Sequence, residues 1–351
     1  MTPRESLLRV LRREGCSEVP FDISLSPAQA EQFRSKTGED DGAAYFRLQH
    51  RKVMLELEPC ADPSLFFTEP LPDGTRVDNW GVAHAPGSAA AMHMTRLICP
   101  LVGDIPLSRV VDYPMPTLTN EERMTASVEA IHESGYAALG PMEQTIWETA
   151  WAIRSMEDLM VDMMSGDERA LVLLDRVTNV AVARAAAYAR AGCDVVQLGD
   201  DIGMQSGPMM SLSLWRDWLK PRLDRVIRAA RAESESVLIF YHSCGYVEPF
   251  LDYLAEIGVQ ILNPVQPESM AFSEIHKKYG KQFSFWGTIG TQSTLPFGTP
   301  EEVRSEVLQN VDIAGESGGL VIAPTHLVEP EVPWENIVAL RNAVDEASAS
   351  K

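Results

Sequence analysis

The sequence predicts an α/β protein, a (β/α)8 TIM barrel that forms a single domain with an N-terminal extension. Short apolar strands alternate with amphipathic helices from residue 136 onward, and at least six such strands occur. This alternation is typical of a parallel sheet whose two faces are both covered by helices. No G-x-G-x-x-G follows a predicted strand, so an open dinucleotide-binding sheet lacks its phosphate-binding turn. The number of strands therefore favours a closed barrel.

The C-terminal two thirds of the chain carry the repeating pattern. Each predicted strand is a short apolar run, and each predicted helix has apolar residues at helical spacing. The elements predicted there are strand 136–140, helix 142–164, helix 168–190, strand 193–199, helix 212–232, strand 237–243, helix 248–257, strand 259–265, helix 270–279, strand 283–287, helix 300–316, strand 319–324 and helix 333–347.

The N-terminal part is less regular. The charged opening "MTPRESLLRVLRREG" is helix-like, and "VPFDIS" (19–24) is predicted as a further strand. Residues 25–135 are interpreted as an extension and long loops folded over the barrel, so that 1–351 is treated as one domain.

Composition excludes several classes of protein. The chain has 351 residues, 45% of them apolar, and a formal net charge of -20. This charge argues against nucleic-acid partners and anionic membrane surfaces, since both need a basic footprint. Five widely spaced cysteines suggest no disulfide framework. No apolar run approaches the roughly 20 residues of a membrane span. We therefore expect a cytoplasmic protein.

Polar residues follow the predicted strands, where barrel enzymes place their active sites. We expect the acidic pair after strand 193–199 and the histidine after strand 319–324 to be catalytic. Other polar groups on the same edge are expected to bind substrate. The expected catalytic residues are Asp200, Asp201 and His326, and the expected substrate-binding residues are Asn263, Gln266, Thr288 and Glu329.

The stretch "FYHSCGYVEP" raises the question of a metal site. His242 and Cys244 are two residues apart at a strand end, so their side chains leave on the same side of an extended chain. Imidazole and thiolate are both good zinc ligands. With His326 as a third ligand, an open position would remain for a substrate thiol. A structural role for a buried His and Cys is the alternative interpretation.

Several stretches carry a resemblance to a known family. They include "DNWGV", "GDDIGMQSGPMMSLSLWRDWLKPRLDRVI", "FWGTIGTQSTLPFGTPEEV" and "GGLVIAPTHLVEPEVPWENI", besides the H-x-C stretch. Together they resemble the uroporphyrinogen decarboxylase superfamily, a barrel family, over nearly the full length of the chain.

Two branches of that superfamily are relevant. True uroporphyrinogen decarboxylases carry an arginine-rich signature after the first strand, where this chain has "FDISLSPAQAEQF". In the zinc-dependent, corrinoid-linked methyltransferases, the H-x-C motif binds zinc, which corresponds to His242 and Cys244. Those enzymes take a further cysteine from the last loop, where this chain has "APTHLVEP" with His326. The resemblance thus implies a zinc site of His242, Cys244 and His326, with Asp200 or Glu329 nearby as an oxygen ligand or as a partner of the ligands.

Three functions follow as hypotheses. The first is a methyltransferase of a demethylation pathway, which moves a methyl group between a corrinoid carried by a partner protein and a small thiol or folate-type acceptor, assisted by zinc. The second is a metal-independent decarboxylase that acts on another carboxylated substrate. The third is a binding or scaffold protein that kept the barrel without its chemistry. Relatives often dimerise, so a homodimer is a possible assembly.

Overall fold

A computed structural model describes residues 1–58, 67, 69–87 and 95–351 of the chain. Cys60 lies outside these residues, and the four other cysteines are free thiols. The strands, in chain order, are β1 (His50–Lys52), β2 (Glu56–Glu58), β3 (Arg76–Val77), β4 (Ala83–Ala85), β5 (Arg96–Ile98), β6 (Thr117–Thr119), β7 (Ala137–Glu143), β8 (Val195–Gly199), β9 (Gly203–Met204), β10 (Gly207–Pro208), β11 (Leu238–His242), β12 (Ile261–Asn263), β13 (Ser284–Trp286) and β14 (Leu320–Val321).

Helices cover the outside of the sheet and one of its ends. They are α1 (Pro3–Leu11), α2 (Pro27–Thr37), α3 (Gly42–Tyr45), α4 (Leu107–Val111), α5 (Glu121–Glu133), α6 (Trp147–Arg154), α7 (Met156–Ser165), α8 (Glu168–Arg190), α9 (Leu212–Trp218), α10 (Lys220–Glu233), α11 (Leu251–Glu256), α12 (Phe272–Tyr279), α13 (Thr294–Phe297), α14 (Pro300–Ala314) and α15 (Trp334–Ala349). Within the described ranges, no helix is long and apolar enough to cross a membrane.

Two predicted helices are each divided in the structure. The predicted helix 142–164 begins later, because β7 continues to Glu143. It is then interrupted at Ser155, whose φ of 78° lies outside the helical region and whose hydroxyl caps α7. The predicted helix 212–232 divides at Leu219, just before Pro221, which has no N–H to continue the ladder of α9. The predicted helix 168–190 is confirmed as α8.

A curled parallel sheet forms the centre of the fold. Its seven strands lie in the order β1, β7, β8, β11, β12, β13, β14. Six of them belong to the pattern predicted from residue 136 onward, whereas β1 lies in the region predicted to be irregular. The short strands β2 to β6, β9 and β10 form three separate antiparallel pairs or triplets.

The inside of the curled sheet is packed with apolar side chains. Strand residues two apart share a face, so Leu238 and Phe240 both point inward, where they pack with Ile261 and Trp286. Helix α1 covers the amino-terminal end of the strands, with its buried leucines, Leu7 and Leu11 among them, in the same cluster. The carboxyl-terminal end is left open.

The predicted TIM-barrel class is correct, but the parallel sheet of the described residues does not close into a full barrel. The predicted strand 19–24 forms one isolated bridge, between Phe21 and Ile322, and Leu25 just after it forms another with Val328. Among the described residues, no backbone pairing joins this segment to β1. The Ile23 N–H donates to the Asp22 carboxylate at 2.8 Å rather than to β1, and side chains occupy the gap. Asp22 contacts His50 at 3.4 Å and accepts a hydrogen bond from Trp286 at 2.9 Å.

Truncating the helix that covers the barrel end should destabilise the fold. Leu7 is 1% exposed, so Leu7→Ala removes buried methyl groups and leaves a cavity. We expect a loss of about 2–4 kcal/mol in the free energy of unfolding, measured by urea denaturation. The matched control is Leu171→Ala in α8, where the leucine is 47% exposed and the expected loss is below about 0.5 kcal/mol. Equal losses in both would contradict the assigned packing.

The contact between Asp22 and His50 should make stability depend on pH. Burial raises the pKa of Asp22, but His50, Lys52 and Trp286 outweigh it and bring the pKa to about 2, from 3.8. The lowered pKa gives a stabilisation that is present above about pH 4 and lost as the pH falls toward 2. Asp22→Asn should therefore cost about 2 kcal/mol at pH 5 and less at pH 3.

Urea titrations at both pH values measure that difference. Asp217→Asn is the control, because Asp217 pairs with Arg216 on the surface with a side chain that is 60% exposed. Its effect should be small at either pH. A cost of Asp22→Asn that does not change with pH would refute the role given to the charge.

Candidate metal centre and its pocket

A cavity of about 400 Å³ opens at the carboxyl-terminal end of the parallel strands. Inward-facing residues of the strands form its walls, and the loops that follow the strands form its rim. The residues that line it are Asp22, Ile23, Ser24, Lys52, Glu143, Gln144, Glu148, Gln197, Asp201, Phe240, His242, Asn263, Trp286, Ala323, Pro324, Thr325, His326 and Leu327.

Three candidate ligands converge at this rim. The ligand atoms of Asp201, His242 and Cys244 all lie within 4.8 Å of one another. His242 Nε2 is 3.5 Å from Cys244 Sγ and 3.7 Å from Asp201 Oδ1. We call these three residues the ligand cluster. All three are half-buried, so their donor atoms are shielded from bulk water on one side.

Asn263 fixes the orientation of the His242 ring. Its Oδ1 lies 2.5 Å from His242 Nδ1, and its Nδ2 donates to the carbonyl of Trp286 at 2.5 Å. Because the Trp286 carbonyl only accepts, the amide oxygen of Asn263 must face the imidazole. Nδ1 is then the protonated nitrogen, and Nε2 presents its lone pair to Asp201 and Cys244.

Backbone hydrogen bonds hold the loop that carries Cys244. The Cys244 N–H donates to Asp201 Oδ1 at 2.8 Å, and the Gly245 N–H donates to Gln266 Oε1 at 3.0 Å. Gly245 has a φ of 79°, and a Cβ there would lie 2.6 Å from the Met204 carbonyl oxygen. Glycine is therefore required for the chain to turn back beside the ligand cluster.

The surroundings of the ligand cluster are acidic. Burial, together with Asp201 and Glu148, raises the pKa of Cys244 to about 12. Burial, together with Asp200 and Asp201, raises the pKa of Glu148 to about 8. Although His326 is exposed as a whole, the protein atoms that crowd its ring and the nearby His242 lower its pKa. A divalent cation would reverse the shift at Cys244, because a coordinated thiol loses its proton.

The ligand cluster fits zinc in chemistry and in spacing. Imidazole nitrogen, thiolate sulfur and carboxylate oxygen are the donors zinc takes, and thiolate argues against magnesium or calcium. Bonds of 2.0 to 2.3 Å in a tetrahedral site place neighbouring donor atoms roughly 3.3–3.8 Å apart. The two measured separations from His242 Nε2, 3.5 and 3.7 Å, lie in that range.

His326 and the ligand cluster share the cavity, but the cluster has a different third member from the one expected. His326 is exposed in the loop after β14 and lines the same cavity as His242. Among the described residues, the group with ligand atoms within 4.8 Å contains Asp201 in place of His326. Asp201 takes this place because its carboxylate is held against the Cys244 backbone. A ligand role for His326 stays a prediction.

Four other expected site residues do not line the cavity. Asp200 is buried and accepts hydrogen bonds from the Ile146 and Glu148 amides at the start of α6. Burial raises its pKa to about 7, although these amides lower it. The others lie behind the walls: Gln266 supports Gly245, the Thr288 hydroxyl accepts from Asn310, and Glu329 is half-buried outside the lining. Asn263 does line the cavity.

Several lining residues were missed from the sequence. Glu143 and Glu148 lie in the stretch predicted as one helix, and β1 with Lys52 lies in the region predicted to be irregular. The position of Gln197 within its strand could have identified it as a lining residue. It is the polar residue inside the apolar strand "CDVVQLG", two residues from Val195 and Gly199, so strand alternation points it inward.

Removing the Asn263 amide should weaken metal binding without removing a ligand. Asn263→Ala frees the His242 ring, and loss of such a partner costs about 10- to 100-fold in metal affinity. Competition with a zinc indicator measures the affinity. The control is Asn336→Ala, which removes another buried amide, one that donates to Leu295 and Gly298 far from the cavity lining. Unchanged zinc affinity in Asn263→Ala would exclude the orienting role.

Known proteins resemble this chain in sequence and in fold. A methylcobamide:CoM methyltransferase, MtaA, of Methanosarcina barkeri is 33% identical over 173 residues, 49% of this chain and 48% of the relative. A uroporphyrinogen decarboxylase of Pseudomonas syringae pv. tomato is 27% identical over 180 residues, 51% of this chain and 48% of the relative. The match thus spans about half the length of these curated relatives.

The solved structure of a methyltransferase from Methanosarcina mazei shares the fold. It superposes with a TM-score of 0.67 at 18% identity and covers 99% of both chains. The family model described as uroporphyrinogen decarboxylase (URO-D) matches residues 144–347, which include Glu148, Gln197 and the ligand cluster. The chain belongs to the uroporphyrinogen decarboxylase (URO-D) family.

Proposed function

We propose that this protein is a zinc-assisted methyltransferase, which moves a methyl group between a corrinoid and a small thiol or folate-type acceptor in a demethylation pathway. The observation that carries the proposal is the ligand cluster at the rim of the cavity. Three donors leave one position of a tetrahedral metal open, which is typical of catalytic rather than structural zinc sites. The MtaA relative, whose name is that of a methyltransferase acting on methylcobamide and CoM, supports the same chemistry.

Zinc, when bound, would keep the sulfur of an acceptor thiol deprotonated and nucleophilic at neutral pH. The residues of the chain position the ligands and shape the cavity. Asn263 aims the His242 imidazole, and the Asp201 carboxylate ties the Cys244 loop to the β8 loop. Phe240 and Trp286 form an apolar wall of the cavity in edge-to-face contact, with ring centroids 5.7 Å apart.

The partner follows from the reaction. A corrinoid is too large for a cavity of about 400 Å³, so the methyl group must be presented from outside by a corrinoid protein docked over the rim. The folate-type acceptor is the less favoured of the two acceptors, because the ligand cluster supplies an activating site for a thiol. A homodimer and a cytoplasmic location stay predictions.

A decarboxylase acting on another carboxylated substrate is the second candidate. The match to a uroporphyrinogen decarboxylase favours it. The charges of the cavity do not: four carboxyl side chains line it, and Lys52, which lies 3.8 Å from Glu143, is the one Lys or Arg among the described lining residues. A substrate with several carboxylates would be repelled there.

Metal content and turnover test the proposal together. We expect about one zinc per chain in the purified protein by elemental analysis and negligible zinc in Cys244→Ala and His242→Ala. Methyl transfer from methylcobalamin to a thiol, followed by absorbance, should fall at least about 100-fold in both variants because the acceptor is no longer activated. Cys16→Ala is the matched control, since Cys16 hydrogen-bonds to the Glu18 carbonyl and does not line the cavity.

The remaining outcomes separate the alternatives. Negligible zinc in all samples together with release of carbon dioxide from a carboxylated substrate would replace the methyltransferase with the decarboxylase. Stoichiometric zinc without methyl transfer to any thiol or folate would leave a binding protein.

A further inference from the structure

Gln197 is a buried polar side chain that faces the cavity without a protein partner. It is 4% exposed and lines the cavity from the middle of β8. Its Oε1 is buried and has no hydrogen-bond partner among the described residues. A buried acceptor left unpaired costs about 1–3 kcal/mol. Rotation of the amide about its last side-chain torsion would bring Oε1 to the cavity, where a bound molecule could donate to it.

The position of Gln197 relates it to the ligand cluster. Gln197 is in register with Phe240, and Gly199 is in register with His242. Two residues along a strand span roughly 6.6 Å, so the amide lies one strand repeat deeper than the His242 imidazole. Because Gln197 and the ligand cluster border one cavity, we expect a short thiol whose sulfur is at the ligand cluster to extend its other end toward Gln197.

The charges of the cavity limit what that other end can be. Asp22, Glu143, Glu148 and Asp201 line the cavity, whereas Lys52 is the one Lys or Arg in the described lining. Lys52 is already 3.8 Å from Glu143. Zinc at the ligand cluster would offset Asp201 and Glu148. An anionic tail would still meet Asp22 and Glu143 elsewhere in the lining and no unpaired Lys or Arg, so its burial there is unfavourable.

We infer that the acceptor is a short thiol with a neutral or cationic tail that donates a hydrogen bond to Gln197 Oε1, a hydroxyl or an amine, and not a sulfonate or carboxylate. The inference rests on the proposed function and makes it more specific. Gln197 is the specificity-determining residue in this assignment, and the ligand cluster is the site at which the sulfur binds.

Calorimetric titration of the zinc-loaded protein with matched thiols tests the inference. The probes are 2-mercaptoethanol, cysteamine, 1-propanethiol, 3-mercaptopropionate and 2-mercaptoethanesulfonate, with zinc quantified in each sample. We expect the hydroxyl and amine probes to bind at least about 10-fold more tightly than the two anions. The hydroxyl probe should bind roughly 3- to 10-fold more tightly than 1-propanethiol, which has the same shape without the donor.

Two variants and a control assign the preference to the amide. Gln197→Leu should remove the preference for 2-mercaptoethanol over 1-propanethiol, and Gln197→Glu should increase the preference for cysteamine over 2-mercaptoethanol about 10-fold. Gln29→Leu is the control, because Gln29 is also fully buried with an unpartnered Oε1 among the described residues but does not line the cavity. It should keep the wild-type order of affinities.

The outcomes distinguish this inference from the proposed function. Zinc-loaded protein that binds the anions as tightly as the other probes, or keeps its preferences in Gln197→Leu, overturns the inference and leaves the methyltransferase intact. Protein that holds no zinc, or holds zinc and binds no thiol, overturns the thiol-dependent function and the inference with it.

Discussion

The register of the parallel sheet is the constraint on which the site depends. It places Glu143, Gly199, His242 and Asn263 in one row across four neighbouring strands. His242 and Asn263 are therefore neighbours on adjacent strands, and the register alone brings their side chains within hydrogen-bond distance. On the other side, a Cβ at Gly199 would lie 2.7 Å from His242 Cβ, so glycine leaves room for the imidazole. A slip of one residue would turn Tyr241 inward in place of His242.

The same alternation divides each strand between core and cavity. Along β11, Leu238 packs in the interior, Phe240 forms the base of the cavity and His242 reaches its rim. Helix α1 closes the opposite end, so the interior opens only where the ligand cluster lies. Two members of the ligand cluster lie on loops: Asp201 follows β8 and Cys244 follows β11. The hydrogen bond from the Cys244 N–H to Asp201 Oδ1 joins these two loops.

The sequence predicts those parts of the fold and site that depend on local pattern. Alternation of strands and helices predicts the six strands of the parallel sheet that follow β1, and H-x-C at a strand end predicts that His242 and Cys244 lie together. The third member of the ligand cluster was not predictable, since the choice between Asp201 and His326 depends on the paths of two loops. The gap beside Phe21 depends on side chains of Asp22, His50 and Trp286 that meet only in the folded chain.

The acidic surroundings of the ligand cluster connect its electrostatics to its chemistry. Burial, and then the charges of Asp201 and Glu148, raises the pKa of Cys244, which favours the protonated thiol. Burial, and then repulsion from Asp200 and Asp201, raises the pKa of Glu148. A divalent cation relieves both, because it neutralises the carboxylates and takes the place of the thiol proton. The charges that make the cavity unfavourable for an anion are thus the charges that favour a metal at its rim.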